Sequence, residues 1–254
     1  MSTRIDIVSL FPEMFAGPFG CSIVKRAVDK GILEIGVTNP REYAYDKHRM
    51  VDDTPFGGGD GMVLKPEPFF RAVRRVKAAR PLEPGEQRRV VLLCPSGATF
   101  TQAKAKELAT YAHLVFVCGH YEGFDARIAE HIADEAVSIG DYVLTGGELP
   151  AMVVVDALAR MIPGVLGAEG SAATDSFYEG LLQYPQYTRP RVFEGLAVPE
   201  VLLSGDHARI AEWRMRQALK ATWLKRPDLL EKAALSTAQQ KLLAEIQAKG
   251  EAEE

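Results

Sequence analysis

The sequence has no long apolar run, and this excludes the simplest membrane architectures. Its longest apolar stretches, such as Met152–Val155, are far shorter than the ~20 residues that a membrane-spanning helix needs. Near the start of the chain, Arg4 and Asp6 interrupt the apolar core that a secretory signal peptide requires. We therefore expect no membrane association and a cytoplasmic protein.

Cysteine is scarce. Cys21, Cys94 and Cys118 stand singly, without the paired spacing of a thiolate metal site. An odd number of cysteines also argues against a disulfide framework. The pattern indicates a protein of a reducing compartment, and it identifies no metal site.

Positive charge is in deficit, since 30 Lys and Arg residues stand against 34 Asp and Glu residues, a net charge of −4. General affinity for polyanions is therefore not expected. The deficit is uneven, however, because the segment Gln186–Arg226 holds eight basic and four acidic residues. Its net charge is therefore +4, and the rest of the chain has a net charge of −8. This segment is interpreted either as a local phosphate-binding surface or as a solvated helical face.

Short apolar runs alternate with helical patterns in the first half of the chain. The predicted strands are Arg4–Leu10, Ile32–Thr38, Arg89–Cys94, His113–Cys118 and Glu135–Ile139. The predicted helices are Cys21–Lys30, Pro66–Ala79, Gln102–Ala112 after a Thr101 cap, and Pro150–Ile162. This alternation predicts an α/β domain with a mostly parallel sheet. The last helix is apolar almost all round, so we expect it to be buried.

A second, smaller domain is predicted to be helical. Residues 164–174 have the small, featureless composition of a flexible linker, and two helical patterns, His207–Lys225 and Thr237–Ala248, follow later. We expect an α/β domain at 1–166, a linker at 167–181 and a helical domain at 182–254. In the linker, the pattern around Asp175 favours an N-cap of a short helix.

Glycine-bearing turns follow three successive predicted strands, at Cys94–Gly97, Gly119–Gly123 and Ile139–Gly147. Ligands of open α/β sheets lie beyond the carboxyl ends of the strands. The turns therefore predict one pocket, whose rings of Tyr121 and Tyr142 and acid Glu122 would suit an amphipathic ligand with a planar base. Glycine is also common in ordinary strand-to-helix turns, which is the alternative interpretation.

Four further patterns allow a functional and a structural interpretation. The glycine-rich segment Pro55–Met62 lacks the spacing of known phosphate loops, so a hairpin loop is favoured. The charged segment His48–Asp53 fits a turn, a metal site or acid–base chemistry. Asp156 and Arg160 lie four residues apart and fit a structural ion pair, although an anionic substrate would serve Arg160 as a partner equally well. Arg209, Trp213, Arg216 and Lys220 form one helical stripe that suits RNA contact, unless Trp213 faces the core.

Taken together, the motifs resemble the bacterial tRNA (guanine-N1)-methyltransferases, the TrmD family. The resemblance covers 7–243 almost continuously. It is carried by Phe56–Gly59, Val117–Gly123, Ser138–Met152, Ile162–Gly167, Tyr187–Pro190, Trp213–Arg214 and Thr222–Leu224.

The resemblance implies a SPOUT-type α/β fold with a deep trefoil knot, followed by a smaller helical domain. It implies S-adenosylmethionine as methyl donor, bent within the loops of the knot. The residues that match the family's donor site are Leu93, Pro95, Gly119, Tyr121, Glu122, Gly123, Ile139, Gly140, Tyr142, Leu144, Gly146 and Gly147.

The resemblance further implies methyl transfer to N1 of guanine 37, beside the anticodon of tRNA. Asp175 matches the family's proposed general base, and Arg160 a catalytic or substrate-orienting arginine. The family works as a homodimer with shared active sites, and its helical domain holds the anticodon arm. It has also been linked to Mg²⁺. We expect substrate contacts from His48, Asp52, Gly58, Gly59, Arg189, Arg209, Arg216 and Lys220.

Two other classes of function remain open from the residues. The chain could be a binding module that senses a nucleotide, which would leave Asp175 dispensable. It could also be an enzyme that methylates a ribose hydroxyl, and its product would then be labelled on the sugar.

Overall fold

A computed structural model of the chain describes residues 2–167 and 171–250. The chain forms two compact units, Met1–Glu169 and Gly170–Glu254. The finer division at 166 and 181 stays a prediction, and residues 168–170 of the predicted linker lie outside the described residues. No helix in the described part of the chain is long and apolar enough to cross a membrane.

Strands and helices alternate in the first unit, while helices dominate the second. The strands are β1 (Thr3–Val8), β2 (Leu33–Thr38), β3 (Asp52–Asp53), β4 (Val63–Leu64), β5 (Arg88–Thr99), β6 (His113–Cys118), β7 (Glu135–Ser138), β8 (Val192–Phe193) and β9 (Leu196–Ala197). The α-helices are α1 (Ala16–Phe19), α2 (Ser22–Asp29), α3 (Pro66–Ala79), α4 (Gln102–Leu108), α5 (Ala126–His131), α6 (Glu148–Ala159), α7 (His207–Lys225), α8 (Pro227–Leu230) and α9 (Thr237–Gly250).

The first unit is built on a five-stranded sheet with the order β2-β1-β6-β5-β7. Every neighbouring pair in it runs parallel. The predicted mostly parallel α/β fold is therefore confirmed. The trefoil knot stays a prediction.

Both faces of the sheet are covered by apolar side chains. Alternate residues of β5 and β6 enter opposite cores: Leu93 and Phe116 pack on one face, and Leu92 and Val117 on the other. This explains why these strands are continuously apolar. α4 and α6 contribute to the first core, and α3 and α5 to the second.

Three local predictions are corrected by the structure. β5 extends past Cys94 to Thr99, because its register with β7 shifts between Leu93 and Ala98 and the intervening residues bulge out. α6 is not buried all round, since Leu149 and Val153 are each 49% exposed. No helix begins after Asp175, because Phe177 takes a left-handed backbone conformation with φ of 71°.

A buried polar network joins β1 to β6 inside the first unit. His113 Nδ1 accepts a hydrogen bond from Arg88 Nε at 2.8 Å, so its Nε2 carries the proton and donates it to Asp6 at 2.9 Å. Arg4 also pairs with Asp6, at 2.6 Å. Burial raises the pKa of Asp6, but the hydrogen bonds from His113 and Arg4 outweigh it and leave the pKa below its usual value.

The second unit is held together around α7. Asp206 caps its N-terminus by accepting hydrogen bonds from the backbone amides of Ala208 and Arg209. Near its C-terminus, the buried Thr222 hydroxyl donates to Ala218 O at 2.7 Å and accepts from Leu182 N at 2.9 Å. The helical character predicted for this region is confirmed.

Candidate functional site

One cavity of about 250 Å³ lies where β5, β6 and β7 end. Its walls come from the bulge of β5, from the loop after β6 and from the loop that joins β7 to α6. All twelve residues that match the family's donor site line it, namely Leu93, Pro95, Gly119, Tyr121, Glu122, Gly123, Ile139, Gly140, Tyr142, Leu144, Gly146 and Gly147. The structure therefore brings the three glycine-bearing turns into one site.

The floor of the cavity depends on a close backbone contact at Gly147. Gly147 N donates to Gly119 O at 2.8 Å, and His120 pairs with Gly146 in a short antiparallel bridge. A Cβ on Gly147 would lie 2.8 Å from Cys118 Cα and 2.9 Å from Gly119 N. Only glycine lets the start of α6 approach the end of β6 this closely.

The lining offers flat rings beside a few polar groups. The rings of Tyr121 and Tyr142 are about half exposed, and Glu122 also lines the cavity. The buried Nδ1 of His120 has no hydrogen-bond partner among residues 2–167 and 171–250. Such a lining fits a ligand that carries a planar base together with polar substituents.

A buried acid beneath the site was not found from the sequence. Glu148, the first residue of α6, is buried and accepts a hydrogen bond from Ser9 Oγ at 2.7 Å. Burial, reinforced by the charge of Glu148, raises the pKa of the neighbouring Cys118 thiol well above its usual value. Ser9 and Glu148 are 139 residues apart, so no local sequence pattern indicated their contact.

The glycine-rich loop lies against one wall of this cavity. Leu64 N donates to Gly123 O at 2.9 Å, and a Cβ on Gly61 would meet the side chain of Glu122. Phe56 at the start of the loop is fully exposed. Two of the predicted substrate contacts, Gly58 and Gly59, lie in this exposed loop. His48 is exposed and precedes the loop in the chain. Asp52 pairs with Leu64 in the β3–β4 ladder.

Neither of the two predicted catalytic residues is among the described residues that line the cavity. Arg160 caps the C-terminus of α6, whose N-terminus forms the cavity floor. Twelve helical residues at 1.5 Å each separate those ends by roughly 18 Å. Asp175 belongs to the second unit, where its backbone carbonyl accepts from Tyr178 N at 3.2 Å. The ion pair between Asp156 and Arg160 stays a prediction.

The predicted RNA contacts of the second unit differ in their surroundings. Arg216 pairs with Glu245 of α9 at 3.0 Å, whereas Arg209 and Lys220 are exposed on α7. Trp213 is half-buried beside Tyr187, with ring centroids 6.3 Å apart. Arg189 is exposed and lines a second cavity with Trp213.

Among the described residues, no group of three or more His, Cys, Asp or Glu side chains is arranged to hold a metal ion. The cavity itself is lined by aromatic rings, backbone groups, the imidazole of His120 and the carboxylate of Glu122.

A covered parallel sheet with a glycine-walled cavity at its carboxyl edge defines an α/β protein whose cavity lies where open α/β sheets bind their ligands. Residues 3–232 match the family described as tRNA (Guanine-1)-methyltransferase TrmD. The chain is 56% identical over 240 residues to the tRNA (guanine-N(1)-)-methyltransferase of Staphylococcus carnosus, covering 94% of this chain and 96% of the relative. It is 57% identical over 243 residues to the enzyme of the same name from Dictyoglomus turgidum, covering 96% of each. The chain belongs to the TrmD family, as its motifs indicated.

Proposed function

We propose that this chain transfers a methyl group from S-adenosylmethionine to N1 of guanine 37 in tRNA, and that it does so in the cytoplasm. The supporting observation is the convergence of all twelve family-matched residues on one cavity at the sheet edge. The name shared by the relatives, with identities of 56% and 57%, supports tRNA guanine as the substrate.

The cavity suits S-adenosylmethionine in size and in lining. At about 250 Å³ it is close to the ~300 Å³ lower end of small-molecule sites, which suits a single small ligand such as the methyl donor. Tyr142 and Leu144 offer apolar surface for the adenine, and Glu122 offers a negative charge for the cationic end of the donor. When bound, the donor supplies an electrophilic methyl group.

Asp175 acts as the general base. Guanine N1 carries a proton and becomes an effective nucleophile only when that proton leaves, so a carboxylate within hydrogen-bond reach accelerates the transfer. Negative charge then develops toward O6 of the guanine. The guanidinium of Arg160 stabilises that charge and orients the base.

The active site is shared between two copies of the chain. Arg160 lies roughly 18 Å along α6 from the cavity floor of its own subunit, beyond the reach of its side chain. A second copy places an Arg160 at the site only if α6 lies in the subunit interface. The half-exposed Leu149 and Val153 give α6 the apolar face that such an interface requires.

The helical unit holds the anticodon arm. Gln186–Arg226 carries an excess of four positive charges in a chain whose net charge is −4, so it is the natural phosphate-binding surface. Arg209 and Lys220 on α7 are exposed, and His48, Asp52 and the Gly58–Gly59 loop contribute from the first unit.

The test is transfer of labelled methyl to unmodified tRNA transcripts with guanine or adenine at position 37, followed by digestion and mass analysis. Label in 1-methylguanosine, with the guanine transcript alone, is the expected result. Label on ribose would instead identify a sugar methyltransferase, and tight donor binding without transfer would identify a nucleotide-sensing module. Repeating the assay with EDTA and then added Mg²⁺ determines whether a divalent cation is required.

A further inference from the structure

A second cavity lies wholly within the helical unit and has a different chemistry from the first. It measures about 380 Å³ and is formed by the segment 184–191, the start of α7 and a few apolar residues between them. We call it the arginine pocket, because Arg189, Arg191 and Arg214 line it while no Asp or Glu does.

The three guanidinium groups of the arginine pocket are not neutralised by carboxylates. The salt bridges of residues 2–167 and 171–250 include none of the three. Arg214 instead stacks on Tyr184, with its Cζ 4.9 Å from the ring centroid, and this leaves its N–H donors available. Three such cations in one concavity attract an anion, and a planar guanidinium matches a phosphate with two parallel hydrogen bonds.

Aromatic rings stand beside these cations. Trp213 and Tyr187 both line the arginine pocket, with centroids 6.3 Å apart and planes inclined by 56°. Tyr187 is about half exposed and Trp213 is half-buried, so part of each residue is accessible to a ligand. Rings beside phosphate-binding cations are the combination that holds an unstacked nucleotide.

We propose that the arginine pocket receives one unstacked nucleotide of the tRNA substrate, with its base against Trp213 and its phosphate held by Arg189, Arg191 and Arg214. This inference rests on the proposed function, because the nucleotide belongs to the RNA that is methylated. The pocket volume lies within the ~300–1,000 Å³ range of small-molecule sites, which is large enough for a base, a sugar and a phosphate.

The first experiment uses tryptophan fluorescence as a report on occupancy of the pocket. The chain has two tryptophans, so the Trp223→Phe variant leaves Trp213 as the only one. Titrating this variant with an unmodified anticodon stem-loop RNA is expected to quench its emission, and a free nucleoside monophosphate is expected to do so more weakly. Unchanged emission while the stem-loop binds and is methylated would overturn the proposal.

The second experiment separates phosphate binding from catalysis. Arg191→Gln is expected to raise the KM for the stem-loop about tenfold, as loss of a charge-assisted hydrogen bond does, without changing kcat at saturating RNA or donor affinity. It should also reduce the slope of log Kd against log salt by roughly 0.7. The matched control is Lys241→Gln, which removes an exposed cation of α9 outside the pocket.

Identical behaviour of the Arg191→Gln and Lys241→Gln variants would contradict a phosphate contact in the pocket. Failure of the unaltered chain to bind or methylate the stem-loop would instead refute the proposed function, and the pocket's assignment with it.

Discussion

Replacing Gly147 by alanine tests whether the cavity depends on the contact between α6 and β6. The backbone of Gly147 has φ of −82°, which alanine also adopts, so any cost comes from the added methyl group alone. That methyl group would lie 2.8 Å from Cys118 Cα, about 0.7 Å inside the ~3.5 Å of ordinary carbon contact. Because the neighbouring atoms are backbone of the central strand, no side-chain rotation can relieve the overlap.

The expected magnitude follows from the two opposing effects of the substitution. Overpacking destabilises the folded state by about 1–3 kcal/mol. Alanine also lowers the conformational entropy of the unfolded chain, which stabilises the fold by about 0.4–1 kcal/mol. The difference is a net destabilisation of roughly 0–2.6 kcal/mol, which corresponds to a fall in Tm of up to about 10 °C for a unit of this size. A wall displaced by ~0.7 Å should also slow methyl transfer by roughly 10- to 100-fold.

The assay is thermal unfolding followed by circular dichroism, with calorimetric titration of S-adenosylmethionine. Gly167→Ala is the matched stability control, because Gly167 lacks a positive φ and has no other described heavy atom within 4 Å of its would-be Cβ. Its Tm should stay level or rise. Equal Tm values for both variants, with unchanged donor affinity for Gly147→Ala, would refute the role assigned to this close contact.

Three further predictions concern the base, the subunit interface and the pH dependence of stability. If Asp175 is the general base, as proposed, Asp175→Asn should lower kcat by about 10²- to 10⁴-fold and leave the Kd for the donor unchanged, because only proton removal is lost. If the proposed homodimer forms through α6, Val153→Glu should give monomers in sedimentation analysis, since it charges the half-exposed apolar face of this helix. Acid should destabilise the fold through Asp6, because folding lowers the pKa of this carboxyl. The ionised Asp6 contributes its full stabilisation at pH values above its unfolded pKa of ~3.9, and this stabilisation is lost as the pH falls through its folded pKa. Urea unfolding at several pH values should therefore show a weaker acid dependence in Asp6→Asn.

Each of these predictions has a matched control or a contradicting result. Glu179→Gln removes an exposed carboxylate four residues after Asp175 and should turn over normally. Val28→Glu charges a comparably exposed valine on α2, and equal dissociation by both valine variants would argue against an interface on α6. If the acid dependence is unaltered in Asp6→Asn, other carboxylates must account for the loss of stability. Glu135 is one of these, because burial raises its pKa but the hydrogen bonds and charges of Lys104 and Arg89 outweigh that effect and lower it.

The elements of the fold were largely readable from the sequence because they depend on local patterns. The bounds of α3, β6 and α7 agree with the prediction residue for residue, and Thr101 caps α4 as expected. α5 was missed, since its six residues are too few to show a helical period. The extension of β5 was missed as well, because a bulge depends on the neighbouring strand and leaves no signal in its own strand.

The sequence by itself determined which turns carry glycine and therefore where a ligand can approach the backbone. Only the tertiary structure decided what surrounds those turns. It placed Ser9 against Glu148, set Arg160 at the far end of α6 from the cavity, and gathered Arg191 and Arg214 into one pocket. The physical reason is range: helical and strand periods act over a few residues, whereas these arrangements arise from packing between segments far apart in the chain.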